Sequence, residues 1–278
     1  MIDLHVHTCF SDGEHTPKEI IEIAKSNGVN TIAITDHDSI GAISDAISEG
    51  KKEEVYVIPG IEITAFEEVE VHVLGYNIDF KSDKIVSYEE HIKSERMKEI
   101  NRTFEYFKSI GISLTEDDVF KYRDGEIVTI WHFAMALAEK GYAIDVKMAL
   151  KKFFINSWLD ELTYDRISVK DAIKLIKDIG GIPVLAHPGR LDIDFDSLVM
   201  KIKEWKKIGL AGIEAIYSLN SQEENELYLN LAKEMNLGVT IGSDYHGEHV
   251  KPNIELGNGV DDGMRKYAEA LLFQNILF

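Results

Sequence analysis

Imidazole and carboxylate side chains recur at the ends of short apolar runs in five separate places. These are Asp3-Leu4-His5-Val6-His7, Thr35-Asp36-His37-Asp38, Gly60-Ile61-Glu62, Ala186-His187-Pro188-Gly189 and Gly242-Ser243-Asp244-Tyr245-His246. A sixth candidate, His72, sits inside the run Val71-His72-Val73-Leu74. Imidazole and carboxylate are the ligands of zinc, manganese and iron. A lone histidine in a strand is more often packed and hydrogen-bonded than ligating. Five such ends spread over the whole chain instead imply convergence on one centre, whose chemistry would be metal-assisted hydrolysis. His5 and His7, like Asp244 and His246, lie two apart, so each pair shares a face of an extended strand and can hold one ion. Asp12, in the Ser11-Asp12-Gly13 loop, can fold back over the centre. Glu62 can bridge two cations, which an imidazole does not.

The elements that must position these groups alternate. Ile2 to Val6 is predicted as a strand, followed by a helix with Thr16 as N-cap, Pro17 at its first position and Glu19 at its third. Thr31 to Thr35 is a second strand, Ser39 to Glu49 a helix, Val55 to Ile58 a third strand, and Glu68 to Leu74 a further strand or hairpin. The alternation returns late in the chain, with helices at Ser168–Ile179, Phe195–Ile208 and Gln222–Met235 and strands at Ile182–Ala186, Gly212–Ile216 and Val239–Ile241. About seven strands in this rhythm argue for an α/β barrel of parallel strands, with its site at the strands' C-terminal ends. Residues 1–80 and 165–278 are assigned to the barrel domain. The helical stretch 81–164 is assigned to an inserted subdomain over one end of the sheet, a candidate substrate cap.

Composition limits the partners. The 278 residues are 45% hydrophobic and 28% charged, an ordinary globular balance. The net charge of −19 disfavours long nucleic acid, which is held mainly by Lys and Arg on phosphate. The same charge does not exclude a small phosphorylated substrate, because bound divalent cations reverse the field locally. No apolar stretch approaches the roughly 20 residues that span a bilayer. The single cysteine, Cys9, suits a reducing compartment, and a cytoplasmic location is expected.

Taken in order, these strings resemble the PHP (polymerase and histidinol phosphatase) domain. The likeness runs from Asp3–His7 with Ser11-Asp12-Gly13 and Thr16-Pro17, through the later motifs including Leu185–Arg190 and Gly242–Gly247, to Lys251-Pro252 and Glu255-Leu256-Gly257. Within the family it looks like the stand-alone phosphoesterases with a helical insertion, which include 3',5'-nucleoside-bisphosphate phosphatases and exoribonucleases that trim short RNA. The resemblance implies a distorted (β/α)7 barrel with an inserted helical subdomain. It also implies two or three divalent ions, manganese, iron or zinc, held by His5, His7, Asp12, His37, Glu62, His72, His187, Asp244 and His246. The implied reaction is attack of metal-activated hydroxide on phosphorus, with Asp244 or His246 as groups that could also carry a proton. Asp3 and Asp36 are expected to orient ligand imidazoles from behind.

The stretch Thr129-Ile130-Trp131-His132 departs from the Arg-Pro-His motif usual in these phosphoesterases, and Phe153–Tyr164 lacks their Gly- and Pro-containing loop. His132 is therefore a substrate contact or a helix-face core residue. Arg190 is a candidate phosphate clamp, because a guanidinium engages oxyanions bidentately. Arg96 and Arg102 are weaker candidates whose default role is a solvated helix face. Phe104, Phe107 and Trp131 are read as core before base-stacking, and His15, His91 and His249 as surface or turn groups. The leading function is hydrolysis of a small phosphorylated substrate, foremost a nucleotide such as a nucleoside 3',5'-bisphosphate. The alternatives are a 5'-to-3' exoribonuclease acting on short oligonucleotides, a non-catalytic metal-bound scaffold, and a C–N amidohydrolase, whose ligand order fits less well.

Overall fold

A computed structural model describes residues 1–121, 128, 130–154 and 166–257. They divide into two compact units, the first built from Met1–Ser87 with the segment from Ile167 onward, the second from Tyr88–Arg166.

The first unit is a nearly closed barrel. Its seven strands are β1 (Ile2–Val6), β2 (Thr31–Ile34), β3 (Tyr56–Phe66), β4 (Glu70–Tyr76), β5 (Ile182–Leu185), β6 (Gly212–Tyr217) and β7 (Gly238–Gly242), neighbours in that order. The two ends of the sheet meet just beyond β1 and β7. There the Asp244 N–H donates to the His5 carbonyl at 2.9 Å and the His7 N–H to the Tyr245 carbonyl at 3.0 Å. Strands β1, β2 and β3 pair in parallel, as do β5, β6 and β7. Strand β4 runs against both its neighbours, which the hairpin alternative for Glu68–Leu74 allowed and the β-α-β rhythm by itself did not. Only Glu67–Val69 separate β3 from β4. A parallel crossover needs about a dozen residues or more, so the chain can only turn back.

Helices α1 (Pro17–Ser26), α2 (Ile43–Glu53), α7 (Val169–Asp178), α8 (Phe195–Ile208) and α9 (Gln222–Glu234) fall between barrel strands. Helix α1 starts as its sequence dictates. Thr16 caps it, Glu19 closes the capping box, and Pro17, Ile20, Ile21 and Ala24 form its buried stripe. Ser168, Asp194 and Ser221 cap α7, α8 and α9, each side chain accepting the N–H of the third helical residue.

The second unit contains most of α3 (Asp83–Ser109), with α4 (Glu116–Phe120), α5 (Ile130–Glu139) and α6 (Val146–Phe153). It has its own core, in which Phe107, Val119, Phe133, Leu137, Ala149 and Phe153 are buried. The Phe107 ring lies 5.7 Å from that of Phe153 and Phe104 lies 4.9 Å from Phe133, so these aromatics serve packing. No helix of the described residues is long and apolar enough to cross a membrane.

Candidate metal centre

The strand ends converge. β1 leads into His7, β2 into His37, β5 into His187 and β7 into Asp244 and His246. Glu62 lies within β3, four residues beyond Ile58, where the strand continues past the end of β2. The reversal of β4 brings its third residue, His72, to the same end of the barrel, opposite Thr64 of β3. Six of the ten histidines thus gather around three carboxylates.

Glu62 is the hub. Its Oε2 lies 3.1 Å from His5 Nε2, 3.2 Å from His7 Nε2 and 3.2 Å from His37 Nδ1. Its Oε1 lies 3.0 Å from His72 Nδ1 and 3.1 Å from His187 Nε2. Asp244 Oδ1 lies 3.3 Å from both His7 Nε2 and His246 Nδ1, and Asp12 Oδ1 lies 3.2 Å from His246 Nε2. Four overlapping groups have ligand atoms within 4.8 Å of one another: His7-Asp12-His37-His246, His5-His7-Asp244, His5-Glu62-His187 and His37-Glu62-His72. Their union is the set of nine residues singled out in the sequence.

Burial makes this arrangement costly without a cation. His5, His7 and Glu62 are fully buried, and His7 Nε2, Asp12 Oδ1, His37 Nδ1 and His72 Nδ1 are buried atoms held in close ion pairs rather than in well-aligned hydrogen bonds. Nitrogen and carboxylate oxygen atoms converging at this spacing are what a divalent ion requires. The donor set fits zinc, manganese or iron.

The electrostatics agree. Burial opposes charge on His72, yet Glu62 and Glu70 raise it to about 10. Burial likewise opposes charge on His7, which Asp244 and Glu62 raise to about 9. On His5, burial is overcome by Glu62, Glu214 and Asp244, which raise it well above its ordinary value. Burial wins at His37, pushed down to about 3. For Glu62, burial favours the neutral acid, but His5, His37 and His72 hold it well below the usual carboxylate range. Positive charge is drawn into this pocket whether protons or metal ions carry it.

Of the two supporting acids, Asp3 differs from expectation in what it holds. Asp3 takes the backbone N–H groups of Ser243 at 2.9 Å, Gly257 at 2.7 Å and His5 at 3.3 Å. It positions chain segments rather than imidazoles, because the barrel seam brings three N–H groups to it. Asp36 accepts from the Thr8 N–H and hydroxyl and from the Ser11 hydroxyl. It reaches the His7 ring through Ser11, whose Oγ lies 3.4 Å from Nδ1. Burial pushes the Asp36 carboxyl up to about 6. Asp244 and His246 are each held at one atom. Asp244 Oδ2 accepts from the Tyr217 hydroxyl at 2.8 Å and from Lys251 at 2.6 Å, and His246 Nδ1 faces the Asp244 carbonyl at 2.9 Å.

A cavity of about 330 Å³ opens beside His72, His187 and Asp244, walled further by Val69, Tyr217, Leu219 and Lys251 and by Arg190. The Arg190 side chain makes no ion pair among the described residues. His132 is half-buried on α5 of the second unit, beside an exposed Trp131, and Arg96 and Arg102 lie on α3. Thr129 and most of Phe153–Tyr164 fall outside the described residues. Two groups at the centre carried no signal in the sequence, Tyr217 and Glu214, the latter buried within an otherwise apolar strand, and Lys251 appeared only within a motif string with no role attached.

Comparison with known proteins agrees with this architecture. The PHP domain model matches residues 3–137. A 5'-3' exoribonuclease of Haemophilus influenzae is 30% identical over 93% of this chain and 94% of its own length. A 3',5'-nucleoside bisphosphate phosphatase of Chromobacterium violaceum is 27% identical over 88% of this chain and 87% of its own. A Bifidobacterium adolescentis crystal structure described as a metal-dependent phosphoesterase superposes with a TM-score of 0.80 at 29% identity, covering 99% of this chain and 96% of that one. The chain belongs to the PHP domain family.

Proposed function

We propose that this chain is a metal-dependent phosphoesterase acting on a small phosphorylated molecule, foremost a nucleotide such as a nucleoside 3',5'-bisphosphate. The observation that carries this is the buried Glu62 carboxylate, met by five imidazoles from four segments of the barrel within 3.2 Å. Two or three divalent ions suit the overlapping ligand groups. When bound, they supply a Lewis acid for phosphoryl oxygens and lower the pKa of water.

The protein's own part is placement. Glu62 belongs to two ligand groups and is set to bridge them. Tyr217 and Lys251 hold one oxygen of Asp244, which turns the other toward His7 and His246. We therefore assign Asp244 and His246 as ligands rather than proton carriers. The cavity beside His72 and His187 receives the remainder of the substrate, and Arg190 on its wall clamps an oxyanion. The net charge of −19 favours small substrates over long nucleic acid, and the single Cys9 supports a cytoplasmic location.

A second reading, 5'-to-3' trimming of short RNA, is favoured by the 30% identity to the Haemophilus exoribonuclease. Phosphate release from adenosine 3',5'-bisphosphate, set against mononucleotide release from a 5'-phosphorylated trinucleotide, separates the two with manganese-loaded protein. Faster turnover of the bisphosphate is expected. Preference for the trinucleotide would install the second reading, and turnover of neither with any phosphoester would sink both.

A further inference from the structure

Strand β6 reads Gly212-Ile213-Glu214-Ala215-Ile216-Tyr217, with one acid among apolar residues. Its register against β7 shifts between Glu214 and Ile216, an irregularity of the kind that re-aims a side chain. Glu214 is fully buried, at 0% exposure. Its Oε1 lies 3.0 Å from His5 Nδ1, and its Oε2 accepts the backbone N–H of His187 at 2.8 Å. Gly242 makes this approach possible, since a Cβ there would sit 2.3 Å from both Glu214 Oε1 and His5 Cβ.

Both partners of Glu214 are candidate ligands of the same group. His5 Nε2 and His187 Nε2 each lie 3.1 Å from an oxygen of Glu62. His187 also has a backbone φ of +24°, in the left-handed region that a non-glycine residue keeps only when its surroundings hold it there. The His187 N–H bond to Glu214 is one such restraint.

We propose that Glu214 is a positioning residue for the metal position formed by His5, Glu62 and His187. It fixes His5 in the tautomer with the proton on Nδ1, which leaves Nε2 to ligate, and it locks the backbone that presents His187. The inference rests on the metal-dependent reading above. It also explains why the acid is a glutamate. Two donors, the His5 Nδ1–H and the His187 N–H, need two acceptor oxygens, whereas a glutamine would turn a donor toward one of them.

The test uses zinc with the full-length protein. Metal-free wild type, Glu214→Gln and Gly242→Ala are titrated calorimetrically and their metals per chain counted, and long-range 15N–1H NMR on zinc-loaded wild type reads the His5 tautomer. The expected result is an Nδ1-protonated His5 in wild type. Both variants should lose about 10–100-fold in affinity at one position and keep wild-type affinity at the others. Undiminished binding at every position in the variants overturns the inference, as does an Nε2-protonated His5. Equal weakening of all positions in folded variants overturns it too, because it marks a general structural role. A wild type that takes up no zinc overturns this inference together with the reading beneath it, whereas undiminished variants overturn this one alone. The tautomer measurement needs no variant, so a substitution that fails to fold leaves the inference open to refutation.

Discussion

Loading the metal-free chain with a divalent cation should expel protons, and the number can be worked from the centre. Burial opposes charge on His72 and His7, yet the surrounding carboxylates raise them to about 10 and about 9. His5 is raised well above its ordinary value against the same burial. His72 and His7 therefore carry a proton at pH 7.5, where an ordinary imidazole is mostly neutral. Ligation requires the lone pair each proton occupies, so metal uptake should release about two protons per chain from these two residues. Each released proton steepens the apparent affinity by about 1.4 kcal/mol per pH unit below its pKa. Affinity should thus climb steeply from pH 6 and level off once the pH passes about 9 to 10. The same raised values stabilise the metal-free fold in full below the unfolded pKa of about 6.5, and that contribution is lost as pH rises through about 9 to 10. Calorimetric titration with manganese in buffers of different ionisation enthalpy counts the protons directly. Glu62→Gln, which removes the hub carboxylate, should release fewer. Heats independent of the buffer would refute the reasoning, since they would mean that the imidazoles are already neutral.

Three further outcomes are expected. Arg190→Met should lower kcat/KM on a phosphoester roughly 10–100-fold, the worth of a charge-assisted hydrogen bond, and an unchanged value would remove Arg190 from the cavity's function. Phe107→Ala, at a position with 0% exposure, should destabilise the second unit by about 3–5 kcal/mol, read as faster hydrogen exchange in α5 and α6 than in β1 to β3. Uniform acceleration across both units would contradict its separate core. In the second unit, the Lys140 ammonium and then the Thr115 hydroxyl hold Asp118 down at about 2. Its contribution to the α4 start is therefore present above the ordinary carboxylate pKa of about 3.9 and lost as pH falls toward 2. NMR titration of its carboxyl carbon should place the midpoint near 2 and higher in Lys140→Met, and an unmoved midpoint would exclude the lysine as the cause.

The sequence reveals the parts of the site whose local pattern carries their geometry. His5 and His7 share a strand face and appear as a pair, as do Asp244 and His246, because extended backbone repeats every two residues. The capping box at Thr16 and Glu19 is local in the same way. Glu214 is invisible because a single acid in a short strand looks like a solvent-facing residue. Only barrel closure turns it toward His5, with Gly242 leaving the room. Tyr217 was hidden for the same reason, since its bond to Asp244 joins two strand ends, whereas Lys251 stood in a legible motif string whose partner the sequence did not name. Asp3 and Asp36 were legible as supporting acids, but not which groups they support. For Asp3 that depends on the seam between β1 and the segment after β7. The direction of β4 turned on the length of one loop, where three residues forbid a crossover.

The most direct test of the central claim is metal content and phosphoester hydrolysis measured on one preparation, for wild type and His187→Ala side by side. Two or three divalent ions per wild-type chain are expected, with phosphate released from a nucleoside 3',5'-bisphosphate, and the variant should lose both metal and turnover. A wild type that binds no divalent ion while still hydrolysing the ester would contradict the account.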